Sequence, residues 1–258
     1  MNQKLRSSGI DIIGDVPWGT HFCQFYQTKE DLMDILVPYF KAGLENNEFC
    51  IWITAQALEV EEAKEALKKA VPDFDVYLES RQIEIVPYTH WYVKDSVFDS
   101  KKILNSWVEK TSHALASGYD GLRLSLNTFW LEETDWDYFV DYEEEVESII
   151  GKHNMIALCI YSLDKCSAIG IIDIVSSHQF ALAKKEGKWG RIENFGKKKA
   201  EEVAIRATQN SEVKLKEAND YLEELVEEKT AHLRKAYELL KETEKDLDEV
   251  QEIAHIGN

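Results

Sequence analysis

His21 and Cys23 are two residues whose types and spacing suit metal chemistry. They lie in His21–Tyr26, a stretch that alternates buried and part-polar side chains and is rich in β-forming residues. Residues two apart on a strand point to the same face, so an imidazole and a thiol would lie together. With His178 or Cys159 nearby, they would bind a soft metal such as zinc. The alternative is a core histidine beside a buried thiol. Because no second close ligand pair supports a metal, none is assigned, and no other cofactor is predicted.

Arg123 lies within Gly121–Asn127, an otherwise apolar stretch of strand length. A buried guanidinium must be paired, so it either binds a carboxylate of the protein or receives an anionic group of a ligand. The candidate internal partners are Asp120, Glu143 and Glu144. The structural ion pair is favoured because it needs no ligand, but both alternatives stay open.

Aromatic and hydrogen-bonding residues follow the ends of several predicted strands. The carboxyl ends of parallel strands meet at one edge of a sheet, and ligands bind in the crevice there. A crevice that is aromatic with few polar groups suits a small, mostly apolar ligand, although core packing is the alternative for about half of these residues. His178 ends a predicted helix and is either its C-terminal cap or a pocket residue. The predicted ligand-binding residues are Tyr26, His90, Trp91, Arg123, Asn127, Trp130, Tyr161 and His178.

Strands and helices in alternation must position these residues. Apolar runs of strand length predict strands at His21–Tyr26, Phe49–Thr54, Ile83–Pro87, Gly121–Asn127 and Met155–Tyr161. Amphipathic spacing predicts helices at Lys29–Asn46, Ala57–Val71, Asp99–Ser117, Trp136–Ile150 and Ala168–Ser177. Phe180–Arg191 predicts a hairpin, and residues 1–18 are expected to be irregular. The predicted fold class is therefore α/β, a mostly parallel sheet flanked by helices, with an antiparallel edge at the hairpin.

The turn after the first predicted strand lacks the features of a phosphate-binding loop. Such a loop needs several glycines whose N–H groups approach the phosphates, then a lysine and a serine or threonine. The turn Tyr26–Asp31 has no glycine, and its Glu30 and Asp31 carboxylates would repel phosphate. The scaffold resembles a nucleotide-binding one, but the sequence predicts no functional phosphate-binding loop.

Charge and composition exclude several classes of partner. The formal charge of −18 opposes nonspecific binding to nucleic acid or to an anionic membrane. No run approaches the roughly 20 apolar residues of a membrane span, and the N-terminus lacks a signal-peptide core, so a cytoplasmic location is expected.

The four cysteines form no CxxC pair and are expected to be reduced. Glu143-Glu144-Glu145 is expected to lie on a solvated helix face, because nothing gives these carboxylates a pocket.

The composition changes at Asn194, after which Glu, Lys and Leu dominate and proline is absent. An a/d seam recurs along this segment, interrupted by one four-residue stutter. A single exposed helix of this length cannot bury its seam, so a parallel dimeric coiled coil is expected, and with it a homodimer through residues 194–252. The seam positions are Leu215, Ala218, Leu222, Leu225, Leu233, Ala236, Leu240, Thr243, Leu247 and Val250.

Six segments occur in a set order between Gly19 and His178. They are GTHFCQFY, KAGLENNEFCIWIT, YDGLRLSLNTFW, DYEEEV, LCIYSLD and IIDIVSSH. Together they resemble the MEDS sensory domain, named for methanogens and methylotrophs and related to the RecA/KaiC-like fold. The resemblance implies a cytoplasmic sensor of a small organic molecule, a one-carbon or hydrocarbon derivative, fused to a signalling output.

The tail carries a resemblance of its own. YLEELVEEKTAHLRKAYELLKE resembles the signalling helix that precedes PAS and kinase modules, and EIAHIGN resembles the opening of a PAS domain. The chain is therefore expected to comprise a MEDS-like domain at 1–193, a coiled-coil signalling helix at 194–252 and the start of a PAS domain at 253–258. The resemblance implies a sensor histidine kinase whose PAS and catalytic modules lie beyond residue 258, so this chain itself is expected not to be an enzyme.

The function predicted from the sequence is the input domain of a histidine kinase, which passes ligand state through a dimeric helical linker. One alternative is a ligand-free scaffold for dimerisation or docking. The other is an active RecA-like ATPase, which the glycine-free turn at Tyr26–Asp31 disfavours.

Overall fold

The computed structural model describes residues 5–87, 100–127 and 136–194, together with short helical stretches between 215 and 241. The chain divides into two units, Met1–Lys198 and Lys199–Asn258. The first unit is built on a seven-stranded sheet, and the described positions of the second unit are helical.

Strands and helices alternate along most of the first unit. The strands are β1 (Leu5–Ser7), β2 (Asp15–Pro17), β3 (Thr20–Tyr26), β4 (Phe49–Thr54), β5 (Ile83–Pro87), β6 (Leu122–Asn127), β7 (Met155–Ser162), β8 (Phe180–Lys185) and β9 (Lys188–Glu193). The helices are α1 (Lys29–Glu45), α2 (Val60–Ala70), α3 (Phe74–Glu79), α4 (Ser100–Ala116), α5 (Trp136–Ile150) and α6 (Ala168–Ser177), with a 3-10 turn at Leu163–Lys165.

The sheet has the strand order β5-β4-β6-β7-β3-β8-β9. Its neighbouring strands are parallel except for β8 and β9, which form an antiparallel hairpin turning at Glu186-Gly187. The predicted mostly parallel α/β sheet with an antiparallel edge is therefore confirmed. Parallel strands in such a sheet are covered by helices on both faces, which explains their near-continuous apolar sequences.

Two local predictions were wrong. The first residues are not irregular throughout, because β1 and β2 pair antiparallel from Leu5↔Pro17 to Ser7↔Asp15. Strands of three residues are too short to give an alternation that can be recognised. The second helix begins at Val60 rather than Ala57, and a further short helix, α3, follows it.

Side chains alternate between the two faces of the sheet, and each face carries its own core. On the α1 face, Phe22 and Trp52 belong to the cluster that α1, α2 and α3 cover. On the α5 face, Cys23 and Leu124 belong to the cluster that α4, α5 and α6 cover. A residue's position along a strand therefore decides which helices it meets.

The second unit presents apolar side chains to solvent. Leu215, Leu222 and Leu233, three positions of the predicted seam, are 64%, 54% and 71% exposed. The coiled coil, the homodimer and the domain boundaries stay predictions, and residues 253–258 lie outside the described part of the chain. None of the helices in the described ranges combines the length and apolar content needed to cross a membrane.

Candidate functional site

Four buried polar side chains meet between the α5 face of the sheet and helices α5 and α6. They are His21 of β3, Glu143 of α5, Cys159 of β7 and His178 at the end of α6, and we refer to them as the His–Cys–Glu cluster. One nitrogen, oxygen or sulfur atom from each lies within 4.8 Å of the other three. All four residues are buried, so the polar atoms face each other and not bulk water.

Strand register brings the two sheet residues together. His21 pairs with Ala157 and Cys23 with Cys159 in the parallel ladder of β3 and β7, so His21 and Cys159 share the α5 face one step apart along the strands. The imidazole Nε2 of His21 lies 3.1 Å from the Cys159 sulfur.

Two helices supply the other members. Val146 and Ile150 of α5 are fully buried against the sheet, and Glu143 precedes them at helical spacing, so it faces the same way. Helix α6 ends at Ser177, and the next residue, His178, is its C-cap. The backbone N–H of Gln179 donates to the carbonyl of His21 at 3.0 Å, which holds His178 beside β3.

The ring of His21 is held at both nitrogens. Its Nδ1 lies 2.8 Å from the Glu147 carboxylate, which accepts a hydrogen bond from a protonated Nδ1. Its Nε2 faces both the Cys159 sulfur and, at 3.6 Å, the Glu143 carboxylate. A neutral ring in this tautomer directs the Nε2 lone pair toward Cys159 and Glu143.

The ring of His178, like that of His21, is held by a hydrogen bond at Nδ1 and directs Nε2 toward Glu143. Its Nδ1 lies 2.7 Å from the backbone carbonyl of Ile174, and a carbonyl only accepts, so Nδ1 carries the proton. Its Nε2 lies 3.5 Å from the same Glu143 oxygen that faces His21. The two imidazole rings stack at an angle, with centroids 4.2 Å apart and planes inclined by 42°.

Burial shifts the acid–base behaviour of the groups around Glu143. Burial first, and then the Glu143 carboxylate, raises the pKa of the Cys159 thiol well above its ordinary value. The same two causes raise the pKa of Tyr161, whose hydroxyl donates to Glu143 Oε1 at 3.0 Å. Thiol and phenol therefore stay protonated unless a cation enters the cluster.

Glu143 is buried in the cluster, although the sequence analysis placed it on a solvated helix face and did not predict it as a residue of this site. The prediction of a solvated helix face was right for Glu144 and Glu145, which are exposed, and wrong for Glu143, whose side chain is 1% exposed. The spacing of Glu143 to Val146 and Ile150 was the available signal, since it lies on the apolar stripe of α5. Glu147, one turn further, was also missed.

Cys23 lies on the α5 face, but its sulfur is not one of the four grouped atoms. Burial, followed by the Glu143 charge, raises its thiol pKa as well. The structure therefore keeps His21 at a potential metal site, with Cys159 and not Cys23 as the sulfur donor.

Arg123 forms a structural ion pair on the α1 face. Its Nε lies 2.5 Å from Glu48 Oε2, and its terminal nitrogens donate to the backbone carbonyls of Ser7, Ser8 and Tyr39 at 2.8–3.2 Å. Both side chains of the pair are fully buried. Among the described contacts, none of the predicted partners Asp120, Glu143 and Glu144 bonds to Arg123. Glu48, which lies in the loop before β4, was missed because a carboxylate just before a strand gives no pattern.

The other predicted ligand-binding residues lie in different places. Tyr26 and Asn127 stand at the carboxyl ends of β3 and β6, where Tyr26 belongs to the α1-face core. Tyr161 and His178 are in contact on the α5 face, with ring centroids 5.8 Å apart. Arg123 lies four residues before Asn127, about 13 Å along the strand at about 3.3 Å per residue. His90, Trp91 and Trp130 lie outside the described residues.

The turn after β3 is organised around a carboxylate. The Asp31 side chain accepts hydrogen bonds from the backbone N–H groups of Gln27 and Thr28, both at 3.1 Å, and the Thr28 hydroxyl accepts the N–H of Asp31 in return. In a phosphate-binding loop, backbone N–H groups of this kind contact the phosphate. Here the Asp31 side chain takes two of them, a contact that the sequence did not predict.

Comparison with known proteins places these features in a family context. The profile of one protein family, described as MEDS, the methanogen/methylotroph, DcmR sensory domain, matches residues 20–179, a range that contains the whole His–Cys–Glu cluster. No curated protein sequence matches the chain.

Two of the solved structures that are similar to the chain illustrate its fold. A KaiC-like protein from the hyperthermophilic archaeon Pyrococcus horikoshii OT3 is 16% identical with a TM-score of 0.50, over 73% of this chain and 86% of that one. The flagellar accessory protein FlaH from Methanocaldococcus jannaschii is 12% identical with a TM-score of 0.47, over 70% of this chain and 79% of that one. At such low identity, the first similarity shows the α/β fold alone.

Proposed function

Because this chain belongs to the MEDS family of sensory domains, we propose that it is the cytoplasmic small-molecule input domain of a signal-transducing histidine kinase. The observation that carries this proposal is the family match over residues 20–179, which spans the sheet from β3 to the end of α6. The proposed signal is a small organic molecule, a one-carbon or hydrocarbon derivative.

The proposed ligand site is the crevice at the carboxyl edge of the sheet. Ligands of open α/β sheets bind there, and Tyr26 and Asn127 stand at that edge. His90, Trp91 and Trp130 follow other strands in the sequence and complete the proposed aromatic lining. Arg123 is better assigned to the buried ion pair with Glu48 than to the ligand.

The proposed output is a change in the dimeric tail. Ligand binding would favour one arrangement of the loops at the strand ends, and that preference would shift the packing of the paired helices in residues 194–252. A coiled coil with a stutter has alternative registers of similar energy, so a modest difference in ligand affinity is enough to change their populations. PAS and kinase modules would receive the change.

A screen of small molecules by thermal unfolding tests the proposal. Methanol, methylamine, formate and short-chain alcohols are suitable probes, and a ligand at 100 times its dissociation constant stabilises a protein by about 2.7 kcal/mol. We expect saturable stabilisation by at least one probe. Asn127→Ala should abolish the shift relative to its own ligand-free baseline, while Asn105→Ala, an exposed position on α4, should retain it. A shift that both variants retain would place the ligand elsewhere.

A ligand-free scaffold is the second candidate. The exposed apolar residues of the second unit favour it, since Leu215, Leu222 and Leu233 suit dimerisation whether or not the first unit binds a ligand. This candidate predicts a stable dimer and no thermal shift with any small molecule.

A further inference from the structure

We propose that the His–Cys–Glu cluster is a binding site for a divalent transition-metal ion, with zinc as the best match. The cluster offers two imidazole nitrogens, one sulfur and one carboxylate oxygen from His21, His178, Cys159 and Glu143. Zinc takes this donor set in four-coordinate tetrahedral sites, whereas magnesium and calcium require oxygen ligands. This inference is independent of the proposed sensory function.

The hydrogen bonds behind the two histidines are those of metal ligands. A ligating imidazole usually donates its other N–H to a carboxylate or a backbone carbonyl, which fixes the tautomer and the ring orientation. His21 has Glu147 in this position and His178 has the carbonyl of Ile174. Both Nε2 lone pairs are therefore directed into the cluster, at one oxygen of Glu143.

The spacing of the ligand atoms fits a tetrahedral ion. Zinc bonds of about 2.0–2.3 Å place neighbouring ligand atoms about 3.3–3.8 Å apart. The distances from His21 Nε2 to Cys159 and Glu143 are 3.1 and 3.6 Å, and that from His178 Nε2 to Glu143 is 3.5 Å. All four ligand atoms lie within 4.8 Å of one another, so only a small adjustment of the side chains would bring the widest pair to the spacing of a zinc site.

The charge of the cluster points to a cation of charge two. Two lone pairs that face a buried carboxylate oxygen repel it unless a proton or a metal ion lies between them. Binding of a divalent ion would release the Cys159 proton to solvent, and the thiolate and the Glu143 carboxylate would then neutralise the ion. The buried site would carry no net charge, which removes the main cost of burying an ion.

Cobalt(II) and zinc(II) titration of the full chain tests the assignment. Co²⁺ should bind with one equivalent per chain, with the visible bands of a tetrahedral site and a near-ultraviolet sulfur-to-metal charge-transfer band, and Zn²⁺ should displace it. Cys159→Ser should abolish the charge-transfer band and weaken binding at least about 100-fold. Glu147→Gln, which replaces the carboxylate that orients His21, should weaken binding about 10–100-fold.

Cys23→Ser is the matched control, because it removes a buried thiol of the same face that lies outside the four grouped atoms. The Cys23→Ser variant should retain the charge-transfer band and the affinity for Co²⁺.

If Cys159→Ser fails to fold, X-ray absorption of the cobalt-loaded wild-type chain replaces it and should show one sulfur and three nitrogen or oxygen donors. A folded wild-type chain that binds neither ion would overturn the proposal in favour of protons shared within the cluster, and loss of the band in Cys23→Ser would overturn the choice of sulfur ligand.

Discussion

Among the described residues, two groups of buried charge lie on opposite faces of the sheet. On the α1 face, the Glu48 carboxylate accepts from both Arg123 and Arg6, at 2.5 and 2.9 Å, and Arg6 also binds Asp120. On the α5 face, Glu143 lies among two imidazoles and the Tyr161 hydroxyl. Each carboxylate has partners suited to a low-dielectric interior, where an uncompensated charge is strongly destabilising.

Glu48→Gln should lower the free energy of unfolding by about 3–5 kcal/mol, because it leaves the buried Arg123 guanidinium without its anion and removes one of the two carboxylates that bind Arg6. Urea denaturation followed by circular dichroism measures the change. Asp75→Asn is the matched control: Asp75 and its partner Lys68 are both 63% exposed, and an exposed pair contributes about 0–1 kcal/mol. Equal losses in the two variants would contradict the structural role assigned to Glu48.

The residues of the candidate site were partly predictable from the sequence. His21 was found because an imidazole and a thiol alternate on a β-rich stretch, and Cys159 and His178 were named as its possible neighbours. Glu143 and Glu147 were missed because acidic residues on a helix ordinarily face water, and only the phase of the apolar stripe in α5 separates Glu143 from Glu144. Glu48, in a loop, carries no periodic signal.

Among the elements, helix α1 and the turn before it show how one carboxylate organises a segment. Asp31 accepts the N–H groups of Gln27 and Thr28 and also binds Lys184 of β8 at 2.9 Å. Burial by itself would raise the pKa of Asp31, but the bonds from Lys184 and the two N–H groups outweigh it, so the pKa of Asp31 is lowered. The charged form is thus the one that the fold stabilises.

Asp31→Asn should reduce the free energy of unfolding at neutral pH by about 1–2 kcal/mol, because the neutral amide loses the ion pair with Lys184 and accepts weaker hydrogen bonds from the turn than a carboxylate does. Because the pKa is lower in the folded state, the stabilisation is complete above the unfolded value of about 3.9 and is lost as the pH falls through the folded value. The difference between wild type and variant, measured by urea denaturation between pH 7 and 3, should therefore shrink below about pH 4.

Asp34→Asn serves as the control for this pH dependence. Asp34 also binds Lys184, but its side chain is 47% exposed and makes no such bonds to the turn in the described contacts, so its effect should be smaller. A difference for Asp31→Asn that stays constant down to pH 3 would argue against an ionised cap.

The same turn predicts that the chain has no ATPase activity. Its N–H groups at Gln27 and Thr28 are already bonded to Asp31, and no glycine lies between Tyr26 and Asp31. Purified protein should show neither hydrolysis of Mg-ATP above a blank nor a thermal shift with it. Turnover that Asp31→Asn or a mutation elsewhere in the turn abolishes would contradict this interpretation.

The central strands of the sheet were predictable from the sequence because they are buried on both faces. Parallel strands buried on both faces appear as apolar runs, and β4, β6 and β7 are fully or almost fully buried along their length. The β1–β2 pair and α3 could not be predicted in the same way, since three strand residues or six helical residues repeat the period of 2 or 3.6 too few times to be recognised.

At the level of the whole molecule, the proposed transmission of the signal requires a dimer formed by the second unit. Three of the described seam residues, Leu215, Leu222 and Leu233, are exposed in the single chain, and burying them against a second copy would remove that apolar surface from water. Light scattering after size exclusion should give twice the mass of the chain. Leu222→Asp should weaken the dimer at least about tenfold, because it places two charges in the seam.

Asp220→Asn, two residues away at an exposed position off the predicted seam, should leave the mass unchanged. A monomeric wild-type chain at micromolar concentration would remove the transmitting half of the proposed mechanism, although it would leave the ligand crevice and the metal site untouched.

Distances between the two tail helices, measured with and without a ligand from the thermal screen, test directly whether ligand state passes through the tail. Nitroxide labels at Asp220→Cys or Lys235→Cys, in a Cys166→Ser background that removes the partly exposed native thiol, report the separation of the two helices by pulsed electron paramagnetic resonance. Saturating ligand should shift the distance distribution at one or both positions. Unchanged distributions at saturation would contradict transmission through the tail.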